Sequence, residues 1–136
     1  MQFPGLADIA SLWIMVWEYV LYGSWPLWIR WIRESSDADI CLLPSVREKL
    51  VQERWFKEVP TKYGKRSFLV GEVEAADTIA WLTAEEVVDA IAHPDVIDGL
   101  PFLSLDYTIQ SKTFMNRPKD IVDIQLIEKY RENWWE

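Results

Sequence analysis

Apolar and polar residues change period several times along the chain, and each change marks an element. From Leu6 to Trp17 the apolar positions suit a helix. Tyr19-Val20-Leu21-Tyr22 has the aromatic and β-branched content of a strand, Gly23 and Ser24 form a turn, and a second helix begins near Pro26. Asp37-Ala38-Asp39-Ile40-Cys41-Leu42-Leu43 alternates and then becomes wholly apolar, as a central strand with one functional end does. Ser45 with Glu48 has the form of a capping box for a helix reaching about Arg54, and Tyr63-Gly64-Lys65 reads as a hairpin turn. Ser67 to Ala75 reads as one strand with Phe68, Val70, Glu72 and Glu74 on a single face.

The remainder reads as helical. Thr83 with Glu86 forms a second capping box, Ser104 caps a segment running to Met115, and Arg117-Pro118-Lys119-Asp120 opens a helix to about Glu132. His93-Pro94 and Gly99-Leu100-Pro101 separate these helices. In the last of them Ile121, Ile124, Leu126, Ile127 and Tyr130 supply the apolar face, which leaves Lys119, Asp123, Lys129 and Arg131 to other faces. The expected class is α+β: a mixed sheet flanked by helices over residues 1–82 and a helical C-terminal part over 83–136, together one domain.

A chain of 136 residues, half of them hydrophobic, has enough apolar surface for a continuous core. The net charge of −8 repels a polyphosphate backbone, which argues against a general nucleic-acid coat protein. Residues 9–32 are long and apolar enough to raise a membrane span, but Glu18, the Gly23-Ser24 break, Pro26 and Arg30 oppose one. With a lone Cys41 and no basic leader at the N-terminus, a reducing cytoplasm is the expected location. No phosphate-binding Gly-rich loop, dinucleotide fingerprint, zinc spacing or Gly-x-Ser-x-Gly elbow occurs, and His93 and Cys41 lack partners for a zinc site or a thiol nucleophile.

The chemistry suggested by the sequence is that of paired carboxylates. Residues two apart in a strand share a face, so Asp37 and Asp39 offer hard oxygen ligands to one cation, and their mutual repulsion invites it. Gly23 lets backbone approach a phosphate closely, and the Ser24 hydroxyl and nearby amides can donate to its oxygens. Tyr22-Gly23-Ser24 followed after twelve residues by Asp37-Ala38-Asp39-Ile40 resembles the hG[GS]…Dh[DE]h signature of the nucleotidyltransferase-fold superfamily.

That resemblance implies a Gly-Ser turn beside a nucleoside triphosphate, Mg²⁺ or Mn²⁺ on Asp37 and Asp39, and a third carboxylate on a neighbouring strand. Glu74 is the choice for this carboxylate, with Glu72 and Asp77 as alternatives. Lys112 followed by Asn116-Arg117-Pro118-Lys119-Asp120-Ile121-Val122-Asp123 resembles the ending of small abortive-infection-type and antibiotic-type members. By that likeness Lys112 faces the phosphates, Asp120 orients a basic group or lies at the site rim, and Asp123 lies one helical turn further on.

The implied activity is metal-dependent transfer of a nucleoside monophosphate from an NTP to a hydroxyl acceptor. The rival reading is a non-catalytic interaction protein of the same fold, such as a toxin–antitoxin component. Trp25, Trp28 and Trp31 recur along one helix face and suit packing against the sheet or a partner, and Trp134-Trp135 suit docking on the core or an oligomer contact.

Overall fold

The computed structural model describes residues 5–34, 39–54, 56, 58–60 and 66–134. Asp37, the Tyr63-Gly64-Lys65 turn and Trp135 lie outside the described residues. The elements are α1 (Leu6–Ala10), β1 (Tyr19–Tyr22), α2 (Trp25–Trp28), β2 (Asp39–Leu42), α3 (Pro44–Arg54), β3 (Glu58–Pro60), β4 (Arg66–Val70), β5 (Val73–Ala76), α4 (Ala84–Ala92), β6 (Asp95–Ile97), β7 (Leu100–Phe102), α5 (Leu105–Met115) and α6 (Pro118–Trp134). The fold is α+β. Its mixed sheet has the order β3-β4-β5-β2-β1-β7-β6, with parallel pairings at β5·β2 and β1·β7 and antiparallel ones elsewhere.

Apart from Asp39 and Glu74, the strands β1, β2 and β5 at the centre of the sheet are apolar because both faces of the sheet are covered. Tyr19, Leu21, Ile40, Leu42, Phe68, Val73, Ala75 and Phe102 face one layer, where Ile9 of α1, Trp25 and Ile29 at α2, and Leu50 of α3 pack. Phe56 stacks on Phe68 there with ring centroids 4.8 Å apart. Val20 and Cys41 face the other layer, against Val87, Ala90 and Ile91 of α4. A third cluster joins Leu27 of α2 to Leu105 of α5 and Ile127 of α6.

Local capping chemistry sets several helix starts. Thr83 accepts from the Glu86 amide and the Glu86 carboxylate accepts from the Thr83 amide, forming a complete capping box. Ser104 accepts from the Tyr107 amide, and α5 ends at Asn116 in the left-handed conformation. Replacing Thr83 by Ala should cost about 1 kcal/mol; chemical denaturation measures it, and an unchanged midpoint would deny the cap its role. α3 begins one residue before Ser45, so Ser45 falls within its first turn.

Several expectations need correction. First, α1 stops at Ala10, and in residues 12–17 the burial alternates: Leu12 is buried and Ile14 packs on the core, while Trp13, Met15 and Trp17 are exposed. Aromatic and β-branched residues hold a helix weakly, and alternate burial satisfies the apolar half without one. Second, residues 67–75 are not one strand. Gly71, at φ 60°, and Glu72 form a two-residue turn between β4 and β5, and the Asp8 carboxylate accepts from the Glu72 amide at 3.2 Å.

Third, the region between α4 and α5 is a hairpin of β6 and β7 rather than a bare separator, and β7 joins the sheet beside β1. β3, which the apolar pattern did not announce, pairs with β4. Fourth, the inward face of α6 adds Asp120 and Asp123 to the expected Ile127 and Tyr130, whereas Ile121 is exposed. Helix α2 also ends at Trp28; Trp25 is buried, but Trp31 turns outward at φ 60°. Among the described residues no helix is long and apolar enough to cross a membrane.

Candidate functional site

Strand register assembles the candidate site. β1 pairs with β2 so that Tyr22 lies opposite Asp39, and β2 pairs with β5 so that Asp39 lies beside Glu74. Partners at one register level share a face of the sheet, so Tyr22, Asp39 and Glu74 form one row. Leu69 of β4 extends this row on the far side of Glu74. The two carboxylates are half-buried at the end of the sheet where β1 leaves and β2 enters. Carboxylates facing each other across strands repel, and a cation between them offsets that repulsion.

Gly23 follows directly. Its φ is 75°, and a Cβ built on it would come 3.0 Å from Asp39 Oδ2. The bare backbone therefore lies against the carboxylate, a cradle that any side chain would intrude upon. A Gly23→Ala variant should lose about 1–2 kcal/mol from the left-handed conformation alone. Denaturant unfolding measures the loss, and wild-type stability would contradict it. Ser24 is buried at the N-cap of α2, where its hydroxyl makes no side-chain cap bond to the helix amides.

Glu74 is supported from behind. Ser67 on β4 is fully buried, and its hydroxyl donates to Glu74 Oε1 at 3.1 Å. Glu72 is exposed in the turn and outside the row, and Asp77 follows the end of β5, about 10 Å of strand beyond Glu74. The register thus places Glu74, rather than either alternative, beside Asp39. Tyr22 shares this environment. Burial first, then the charges of Asp39, Cys41 and Glu74, push its hydroxyl well above the usual range.

Lys112 and Asp120 come together in a second cluster. The Lys112 ammonium lies 2.9 Å from Asp123 Oδ2 and 3.7 Å from Asp120 Oδ1, with all three side chains buried. Arg33 grips Asp123 through Nε at 2.6 Å and Nη2 at 2.8 Å, and Arg117 grips Asp120 through Nε at 2.6 Å and Nη2 at 3.1 Å. Burial alone would disfavour both charged carboxylates. For Asp120 the hydrogen bonds and charge of Arg117, aided by Lys112, outweigh it; for Asp123 Arg33 and Lys112 do so, and both pKa values fall below the ordinary range.

A polar seam lies between α4 and α5. Tyr107 donates to Asp89 at 2.6 Å, Gln110 to Glu86 at 2.5 Å, and Ser111 to the Ala80 carbonyl at 2.8 Å. The Asp89 hydrogen bond, followed by desolvation and nearby negative charge, pushes the Tyr107 hydroxyl up to about 12.

The structure thus brings Gly23, Asp39 and Glu74 together, and separately Lys112, Asp120 and Asp123. Sequence reasoning missed Ser67 and Arg33. A serine inside an apolar strand was the available signal for Ser67, whereas Arg33 is 90 residues from Asp123 and carries none.

For a divalent cation, the Asp39–Glu74 pair supplies the right donor chemistry, two hard carboxylates at one register level of adjacent strands, the first of them against the side-chain-free Gly23. Among the described residues no group of three or more His, Cys, Asp and Glu side chains could hold a metal ion; Asp37, the expected third member, is outside them. Comparison of the chain with protein-family models, with curated proteins and with solved structures finds no match.

Proposed function

We propose that the chain is a small cytoplasmic nucleotidyltransferase that moves a nucleoside monophosphate from an NTP to a hydroxyl acceptor, with Mg²⁺ or Mn²⁺ held by Asp37, Asp39 and Glu74. The observation that carries this reading is the convergence of Asp39 and Glu74, from strands 35 positions apart in the chain, beside the bare backbone of Gly23. A Gly-Ser turn against an acidic pair is the arrangement that the nucleotidyltransferase resemblance implies for a triphosphate and its counter-cation.

In this role Asp39 and Glu74 anchor the cation through hard oxygen donors. Gly23 keeps the floor of the site open, and the Ser24 hydroxyl serves as a donor to phosphate oxygen. The divalent ion, when bound, supplies charge neutralisation and stabilises the leaving oxygen. Lys112, Arg33 and Arg117 exceed Asp120 and Asp123 by one positive charge, so in a chain of net −8 this cluster contributes local positive potential while it anchors α6.

A second reading is an interaction module, whether as a self-assembling protein or a toxin–antitoxin component. It is favoured by Trp13, Met15 and Trp17, which project outward where alternation ordinarily places polar side chains. Thermal shift with each NTP and Mg²⁺ or Mn²⁺ separates the two. A metal-dependent rise in Tm with an NTP supports the transferase, and no response to any NTP favours the module.

A further inference from the structure

We infer that Ser67 is a positioning residue for Glu74, fixing one carboxylate oxygen so that the other is presented to a cation shared with Asp39. The inference rests on the transferase reading and adds to it a residue that the Gly-Ser and Asp-x-Asp signature does not contain.

β4 and β5 are antiparallel with Phe68 opposite Ala75 and Leu69 opposite Glu74, so Ser67 and Glu74 are diagonal neighbours on the face that carries Asp39. Ser67 has no solvent exposure, and a hydroxyl so buried must spend its proton on a protein acceptor or forfeit its hydration. An ionised carboxylate can only accept, so the proton lies on Ser67 and points at Glu74 Oε1, 3.1 Å away. Glu74 has three rotatable side-chain bonds and is half-exposed, which would otherwise leave its carboxylate free to swing into water.

With Oε1 held from the core side, Oε2 is the oxygen left for a metal. On the other flank, Gly23 lies against Asp39 Oδ2. Glu74 is therefore held by a hydroxyl from behind, while the absence of a side chain at Gly23 leaves the Asp39 carboxylate unobstructed by a Cβ. Hydrogen-bonded outer partners of this kind typically account for 10–100-fold in metal affinity.

The test is Mn²⁺ titration of the full chain, followed by water-proton relaxation, on wild type and on Ser67→Ala, Ser67→Cys and Ser67→Thr. Ala removes the hydroxyl, Cys nearly preserves its size but donates weakly, and Thr retains it. Expected are saturable binding by wild type, about tenfold weaker binding by the Ala and Cys variants, and recovery by Thr to within about threefold. A role confined to packing would spare the Cys variant. If the Ala variant does not fold, the Cys variant decides alone. Losses below threefold in the Cys variant, and in the Ala variant where it folds, overturn the positioning role and leave the transferase reading standing. Absence of saturable Mn²⁺ binding by wild type overturns that reading and this inference with it.

Discussion

Asp39→Asn is expected to raise the stability of the metal-free protein slightly while it abolishes saturable Mn²⁺ binding and lowers nucleotidyl transfer about a thousandfold. The opposite signs follow from the register. Without a cation, Asp39 and Glu74 are like charges side by side on adjacent strands, and neutralising one removes a repulsion of about 0.5 kcal/mol. With a cation, the same change removes a charged oxygen ligand, and a thousandfold loss corresponds to about 4 kcal/mol of transition-state stabilisation. Asn matches Asp in size, so the half-buried position retains its packing. Thermal unfolding with and without Mg²⁺ and an NTP reads both effects. A purely structural Asp39 would lower the metal-free Tm and leave any ligand response intact, and that pattern would remove Asp39 from the cation site.

Lys112→Met should have the largest effect on stability. The methionine preserves the apolar stem, but the buried Asp120 and Asp123 lose the ammonium between them. Removing one partner from a buried charge cluster costs about 3–5 kcal/mol; because Arg33 and Arg117 still hold one carboxylate each, about 3 kcal/mol is expected, or roughly 10 °C in Tm. A drop smaller than about 2 °C would show that the cluster contributes little to the fold.

The same cluster predicts acid behaviour. Asp120 and Asp123 are held below the ordinary carboxylate range in the folded state, so their ionised forms favour folding. That stability is fully present above the unfolded value of about 3.9 and is lost as pH falls through the lower folded values. Tm should therefore decline below about pH 4, and less steeply in Asp123→Asn. Identical profiles from pH 6 to pH 2 would contradict the linkage.

Much of the fold is legible where the determining interactions are local. The Thr83 and Ser104 caps satisfy amides within three residues, and the Gly23 turn separates two strands whose apolar composition is visible directly. Asp39 was visible as a site candidate because strand alternation and its distance from Gly23 are properties of one short stretch. The division at Gly71 was less visible, because Glu72 and Glu74 preserve an alternating pattern straight through the turn; the Asp8 carboxylate, 64 positions earlier, receives the Glu72 amide there. Period alone also misplaced the inward face of α6, since it scored Asp123 as polar and therefore outward, while Arg33 and Lys112 satisfy that charge inside.

By itself, then, the sequence determined the α+β class, the central strands, the capped helices and a glycine turn followed by an acidic strand, because each depends on propensities and hydrogen bonds within a few residues. The tertiary structure alone decided that Glu74 is the neighbour of Asp39, that Ser67 stands behind it, and that Lys112 is enclosed by Asp120 and Asp123. Those pairings join distant segments, and their register follows from burying both faces of one sheet at once, a condition that no short window of residues contains.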